Sequence, residues 1–302
     1  MSADAAVLEH AFAEHRPFLW SLCYRLCGDA ADAEDLVQDT FVRALQHPPA
    51  RTDEPWRPWL VRVAVNLGRD LLRRRRRRRY EGPWLPAPVE ELVAPAASGP
   101  GARYDMVESV SMAFLVALEA LSPTQRAVLL LRDVFDYSVR ETARALGLGE
   151  PNVKTTHLRT RRRLAEYDAL RVQPTLDLQA ATRCALERFL ASLQTGDAAQ
   201  VEALLADDVR SLADGGGEYA AARDVIRGRA RVASLYVNLG RKVRVARAEV
   251  RTLNGLPALV ADFEGVPRGW APRAVIQCEI DDRGFIRRIY SVSASRKLSA
   301  VR

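Results

Sequence analysis

The sequence predicts a multidomain chain: two all-α domains, the second containing a helix-turn-helix, followed by an α+β domain. Three observations carry that reading. Apolar residues recur at helical spacing from about Ala5 to Arg79 and again from Asp105 to about Asp168. Between these stretches, Tyr80 to about Arg103 is rich in Pro, Gly and Ala and can hardly hold regular structure. From Pro174, two helical segments give way to short strand-like runs. With 302 residues and 48% apolar side chains, the chain can give each of two or three domains its own core.

Gly28-Asp29 breaks the first helical stretch, and Asp29 is placed to cap a helix from Ala30 to about Gln46. Leu36, Val37, Phe41, Ala44 and Leu45 form its apolar face, while Asp32, Asp35 and Asp39 line another side. Taken alone, those aspartates suit either a docking surface or a solvated face with favourable charge near a helix N-terminus. In the next helical segment Trp59, Val63, Leu67 and Leu71 recur as a packing face, and the segment runs into seven consecutive arginines, Arg73 to Arg79. A bare arginine run reads as a solvated tail. One fused to a patterned helix is held at fixed geometry, which suits a phosphate backbone.

The formal net charge of +7 hides an asymmetry. Residues 1–55 carry four Arg against ten Asp and Glu, net −6, whereas residues 56–79 carry ten Arg against one Asp, net +9. A phosphate polymer is repelled by the first surface and steered to the second, so the two suit different partners.

Within the linker, Trp84-Leu85-Pro86 places a large aromatic side chain that is expected to dock, on another domain or by local collapse onto a neighbouring helix. Beyond it, Ser138 can cap a helix containing Val139, Thr142, Ala143 and Leu146, Gly147 supplies a turn, and a second helix begins near Glu150. Its inward positions are expected at Val153, His157, Thr160 and Leu164. Lys154, Arg159 and Arg161 to Arg163 against Glu150 make it net +4. An ordinary helical hairpin is the alternative, but two separate basic helices favour a nucleic-acid reader.

In the C-terminal part, Leu178 to Leu193 reads as an amphipathic helix ended by Gly196, and Ala198 to Leu205 as a short second one. Strand-like runs follow at Val209–Ala213, Val243–Leu253, Ala258–Glu264, Ala274–Ile280 and Phe285–Val292, with helical pattern at Ala230–Leu239. Turn signals stand at Asn254-Gly255 and Asp282-Arg283-Gly284. This order predicts a curved sheet wrapped around a helix layer.

Cys23, Cys27, Cys184 and Cys278 form no metal pattern, and buried free thiols are the expectation. No cofactor is called for. Neither a membrane-length apolar run nor a signal-peptide pattern is present, so the cytoplasm is the expected compartment.

Three segments, GDAADAEDLVQDTFVRAL (Gly28–Leu45), PWLVRVAVNLGRDLLRRR (Pro58–Arg75) and RAVLLLRDVFDYSVRETARALGLGEPNVKTTHLRTRRRL (Arg126–Leu164), resemble the signatures of extracytoplasmic-function sigma factors of bacterial RNA polymerase, in the same order and spacing. WLPAP (Trp84–Pro88), DGGG (Asp214–Gly217) and the ending IRRIY…KL (Ile286–Leu298) resemble the subgroup with a C-terminal SnoaL-like extension. The resemblance implies a sigma region 2 domain at 1–79, a linker at 80–104, a sigma region 4 domain at 105–170 and a SnoaL-like (nuclear transport factor 2-like) regulatory domain at 171–302.

It also implies roles. Asp35, Gln38 and Asp39 would dock on the clamp helices of core RNA polymerase. Asn66 would contact an extruded base of the minus-ten promoter element, with Arg62, Arg69, Arg73 and Arg74 on the DNA backbone. Lys154, Thr155, Leu158 and Arg159 would face the minus-thirty-five element in the major groove. Here the chain departs from the family, which has leucine where His157 stands and a polar residue where Leu158 stands. Trp84, Leu85 and Pro86 and the turn Asp214, Gly215, Gly216 and Gly217 would form a regulatory contact between extension and sigma core. Ala87 replaces an expected acid, Glu218 an expected lysine, and Ala294-Ser295-Arg296 an expected Asn-Pro-Asp, so a remodelled contact is expected.

The function implied is that of an alternative sigma factor, non-enzymatic, with core RNA polymerase and promoter DNA as partners. Two other readings remain open from the residues. One is a sigma-like DNA-binding module fused to a domain that binds or turns over a small molecule. Against turnover, all four histidines, His10, His15, His47 and His157, precede that domain, leaving Asp214, Asp262 and Tyr236 as candidates without a required spacing. The other is an independent repressor or activator, which explains Arg126–Leu164 but not the acidic helix and the arginine-ended helix together. No Gly-Lys-Ser/Thr follows DGGG, which argues against a nucleotide-binding loop there.

Overall fold

The computed structural model describes residues 3–47, 55–77, 80–90, 101–171 and 173–301. The chain falls into two compact units, one of Met1–Arg79, Leu92–Val110 and Phe114–Val172, the other of Tyr80–Glu91, Ser111–Ala113 and Gln173–Arg302. The two helical parts expected at 1–79 and 105–170 therefore share one unit, and the first half of the linker goes with the C-terminal unit.

In the first unit α1 (Ala3–Cys27), α2 (Ala30–Gln46) and α3 (Trp56–Arg77) pack mutually. The Gly28 N–H closes α1 on the Tyr24 carbonyl, and the Asp29 carboxylate caps α2 by accepting from the Asp32 N–H at 3.0 Å. Two packing expectations are corrected. In α3 the buried stripe is Leu60, Val61, Ala64, Val65, Gly68 and Leu72, while Trp59, Val63, Leu67 and Leu71 are half-buried. The small residues decide the rotation: a Cβ on Gly68 would stand 2.3 Å from Leu26 Cδ2, so only glycine lets α3 approach α1 this closely. In α2, Leu45 does not reach the core and is 65% exposed.

Beyond the linker come α4 (Met112–Ala117), α5 (Pro123–Leu129) with a π-helical turn at Leu130–Val134, α6 (Val139–Leu146), α7 (Glu150–Arg163) and α8 (Ala165–Leu170). Ser122 with Gln125 and Ser138 with Glu141 form capping boxes on α5 and α6. The helix α6, its left-handed cap at Gly147 and α7 make the expected helix-turn-helix.

Buried arginines tie this unit together. Arg126 donates to the Leu26 carbonyl at 2.9 Å, the Leu118 carbonyl at 2.8 Å and Glu119 at 2.5 Å. Arg25 donates to Ser109 Oγ at 2.8 Å and the Met106 carbonyl at 2.7 Å. Burial pushes the Arg25 guanidinium down to about 9. The carbonyls at the C-terminus of α1 would otherwise lack partners.

The second unit contains α9 (Leu176–Thr195), α10 (Ala198–Glu202) and α11 (Arg229–Lys242) against one sheet of β1 (Leu205–Asp214), β2 (Ile226–Arg227), β3 (Arg244–Leu253), β4 (Leu256–Glu264), β5 (Arg273–Ile280) and β6 (Ile286–Val292). The strand order is β2-β1-β6-β5-β4-β3, parallel only between β1 and β6. Phe189 of α9 and Tyr236 of α11 meet edge to face over Val209, Ile276 and Ile289. Two details differ from expectation. The short strand β2 carried no sequence signal, and α10 stops at Glu202 because Leu205 already pairs with Ile286 in the sheet.

Gly68→Ala should overpack the α1/α3 contact and destabilise the first unit by about 1–3 kcal/mol, read as a lowered midpoint in thermal unfolding.

Candidate functional site

The exposed face of α2 is continuous. Asp35, Gln38 and Asp39 are exposed, and Val42 and Leu45, 47% and 65% exposed, extend the same stripe by the next two turns. The opposite face, Leu36, Val37, Phe41 and Ala44, is buried. An acidic stripe ending in two exposed apolar side chains is suited to a protein partner.

On α3 the expected DNA-facing residues separate into two groups. Arg62, Arg73 and Arg74 are exposed, and Arg73 is bonded to Asp70 at 2.7 Å. Arg69 is half-buried and donates to Thr124 Oγ1 at 3.1 Å, the Leu146 carbonyl at 3.4 Å and Asn66 Oδ1 at 3.3 Å. Burial and then the neighbouring Arg73 push its guanidinium down. A groove of about 490 Å³, lined by Trp59, Arg62, Phe135, Tyr137, Glu141 and Arg144, lies beside the first half of α3.

The arginine run is not one surface. Arg75 donates to the Cys27 carbonyl at 2.7 Å and to Glu119 at 2.9 Å, and Arg76 donates to the Leu121 carbonyl. The expectation that the whole run touches phosphates is therefore corrected for Arg75 and Arg76, which satisfy helix-end carbonyls. Arg78 and Arg79 lie outside the described residues.

On α7, Lys154, Thr155, Leu158 and Arg159 are all exposed, and Val153, Thr160 and Leu164 are buried. The departure at His157 has a structural cause. Its Nε2 lies 2.8 Å from both carboxylate oxygens of Asp133, on the turn after α5. The histidine thus occupies the inward position by pairing with a buried acid, and the leucine stands outside.

In the second unit residues 80–90 lie without helix or strand and are held at both ends. At one end the buried Asp214 carboxylate accepts from the Leu85 N–H at 2.7 Å, the Gly216 N–H at 2.9 Å, Lys297 Nζ at 2.6 Å and the Tyr80 hydroxyl. Lys297, 5% exposed, also donates to the Leu85 carbonyl at 2.5 Å and sits 4.0 Å from the Trp84 ring centroid. At the other end Val89 and Asn254 exchange hydrogen bonds of 3.1 and 2.9 Å, and Glu90 pairs with Arg251 at 2.6 Å. The buried residues of the strap are Leu85, Pro86, Ala87, Pro88 and Val89, and Trp84 is half-buried over the ammonium group. Gly215 is needed for space, since its Cβ would fall 2.3 Å from the Tyr219 carbonyl oxygen. Glu218, where a lysine was expected, accepts from the Ser295 N–H at 2.9 Å.

No local sequence pattern marks Tyr80 or Lys297 as a partner of Asp214, although Lys297 lies within the IRRIY…KL ending. Asp214, Asp262 and Tyr236 each have their own partners: Asp262 pairs with Arg273 at 2.9 Å, and Tyr236 meets Ser211 Oγ at 3.1 Å inside the core, where burial pushes its hydroxyl up to about 12. Cys23, Cys27 and Cys278 are buried as free thiols and Cys184 is exposed. Among the described residues no helix is long and apolar enough to cross a membrane, and no His, Cys, Asp and Glu group could hold a metal ion.

The family model for Sigma-70 region 2 matches residues 11–78, and that for Sigma-70 region 4 matches residues 111–164. The chain is 34% identical over 269 residues to the ECF RNA polymerase sigma factor SigJ of Mycobacterium tuberculosis, across 85% of this chain and 83% of the relative. The chain belongs to the extracytoplasmic-function sigma factors. It is 36% identical over 170 residues to SigG of the same organism, across 50% of this chain and 45% of SigG. The crystal structure of Mycobacterium tuberculosis SigJ matches with a TM-score of 0.73 at 25% identity, over 96% of this chain and 98% of that one. As a sigma factor, the chain directs RNA polymerase to promoters and has no catalysis of its own. Its fold is the pair of helical sigma domains followed by an α+β domain.

Asp214→Asn should strand the buried Lys297 ammonium and loosen the strap. The expected cost is about 3–5 kcal/mol, measured by thermal unfolding, with faster chymotryptic cleavage at Tyr80 or Trp84.

Proposed function

We propose that this sigma factor works in the cytoplasm with three separate readers, organised as a region 2 domain at 1–79, a linker at 80–104, a region 4 domain at 105–170 and a regulatory domain at 171–302. The observation that carries the proposal is the placement of exposed charge: acidic on α2, basic on α3 and α7, each opposite a face committed to the core. Asp35, Gln38 and Asp39 dock on core polymerase, with Val42 and Leu45 completing the contact. Asn66 receives a base of the minus-ten element, and Arg62, Arg73 and Arg74 hold its backbone. Arg69 joins them once α5 and α6 move off α3, since its two terminal nitrogens are otherwise bonded to Asn66, Leu146 and Thr124. Lys154, Thr155, Leu158 and Arg159 face the minus-thirty-five element.

The C-terminal domain regulates in cis by holding Trp84, Leu85 and Pro86 against the Asp214–Gly217 turn. Support comes from Asp214, whose carboxylate binds the strap through its backbone as well as through Tyr80. Run-off transcription with core polymerase, comparing the full chain with Asp214→Asn, tests this. Promoter output unchanged by the loosened strap would leave the domain without a regulatory role.

Reversing Asp35 and Asp39 to Lys should lower core-polymerase affinity by roughly tenfold or more through like-charge contact, with little change in folding because both are exposed. A pull-down at wild-type strength would refute the docking face. The two basic helices should separate by salt titration. Arg73→Ala with Arg74→Ala should weaken every promoter alike and flatten the salt dependence of binding. Lys154→Ala or Arg159→Ala should cost about 1–3 kcal/mol at one base position.

A further inference from the structure

Helix α7 presents a face that is cationic at its margins and apolar at its centre. Lys154 and Arg159 are exposed, and between them Leu158 is 53% exposed. Thr155, on the same face, donates its hydroxyl to the Pro151 carbonyl at 3.0 Å, so that proton is committed to the helix backbone. The rotation of the helix is settled from the other side. Val153, Thr160 and Leu164 are buried, and His157 is held to Asp133 by contacts of 2.8 Å to both oxygens. Turning α7 to cover Leu158 would withdraw the imidazole from a buried carboxylate, so the leucine is kept outward by the pair behind it.

A leucine on a face that meets a charged polymer gains by contact only where that polymer offers carbon. In the major groove of unmodified DNA the apolar feature is the C5 methyl group of thymine, and apolar side chains read thymine through it. The remaining donors of this face, Lys154 and Arg159, suit guanine edges or phosphates. Resting on the assignment of α7 to the upstream promoter element, we infer that Leu158 is a specificity-determining residue that selects thymine by its methyl group. Cytosine in the same place presents a bare C5 hydrogen and loses the contact.

Deoxyuridine isolates that methyl, because it keeps every hydrogen-bonding group of thymidine. The holoenzyme first selects upstream elements from a duplex pool randomised in that region, and each thymine of both strands is then replaced singly by deoxyuridine. Wild-type holoenzyme should lose about fourfold in affinity, the worth of one buried methyl group, at one or two neighbouring positions. Leu158→Ala holoenzyme should bind the thymine and uracil duplexes alike there. Since Leu158 is exposed, its thermal unfolding should match wild type. The absence of any uracil-sensitive position, or equal sensitivity in the Leu158→Ala protein, overturns the inference. If Lys154→Ala and Arg159→Ala also bind the upstream element at wild-type strength, the assignment of α7 falls with it.

Discussion

Arg25, Arg126 and Lys297 are cations almost cut off from water, at 3%, 2% and 5% exposure, and each must find its oxygen atoms inside the protein. Arg25 and Arg126 take carbonyls and a hydroxyl from segments far apart in sequence, and so fasten α1 to the residues around Met106 to Glu119. Lys297 takes Asp214 and the Leu85 carbonyl, and so fastens the strap. Loss of any one partner leaves a charge that no solvent reaches, which makes these contacts far less tolerant than the surface ion pairs.

The same chemistry divides the arginine-rich end of α3. Arg75 and Arg76 spend their donors on carbonyls at Cys27 and Leu121, whereas Arg73 and Arg74 remain at the surface. Neighbours along a helix are turned by 100°, so a run of identical residues necessarily serves several faces. A homopolymeric stretch is thus a mixed instruction, part structural and part for a ligand.

Much of this was legible beforehand. The caps at Asp29 and Ser138, the turn at Gly147 and five of the strands follow from local rules that act within a few residues. The rotation of α3 was not legible, because two adjacent stripes are both apolar and only the close approach at Gly68 chooses between them. On α2 the apolar pattern runs one residue further than the buried stripe, which ends at Ala44 and leaves Leu45 exposed. At the candidate site the charge on α2 and α7 could be read directly. Partners such as Tyr80 with Asp214, or His157 with Asp133, join residues distant in sequence, and no periodicity encodes them.

The strap has a further consequence, in chain length. Residues 80–90 belong to the connection between the two helical sigma parts, yet both ends of the segment are fastened to the C-terminal unit, at Asp214 and at Asn254. While it is fastened, the span of those residues is fixed. Freed, the segment could extend to at most roughly 36–40 Å at 3.3–3.6 Å per residue. The buried Asp214–Lys297 pair therefore acts on distance as well as on stability: it sets the slack available to a molecule whose two reading helices must address separate stretches of one DNA.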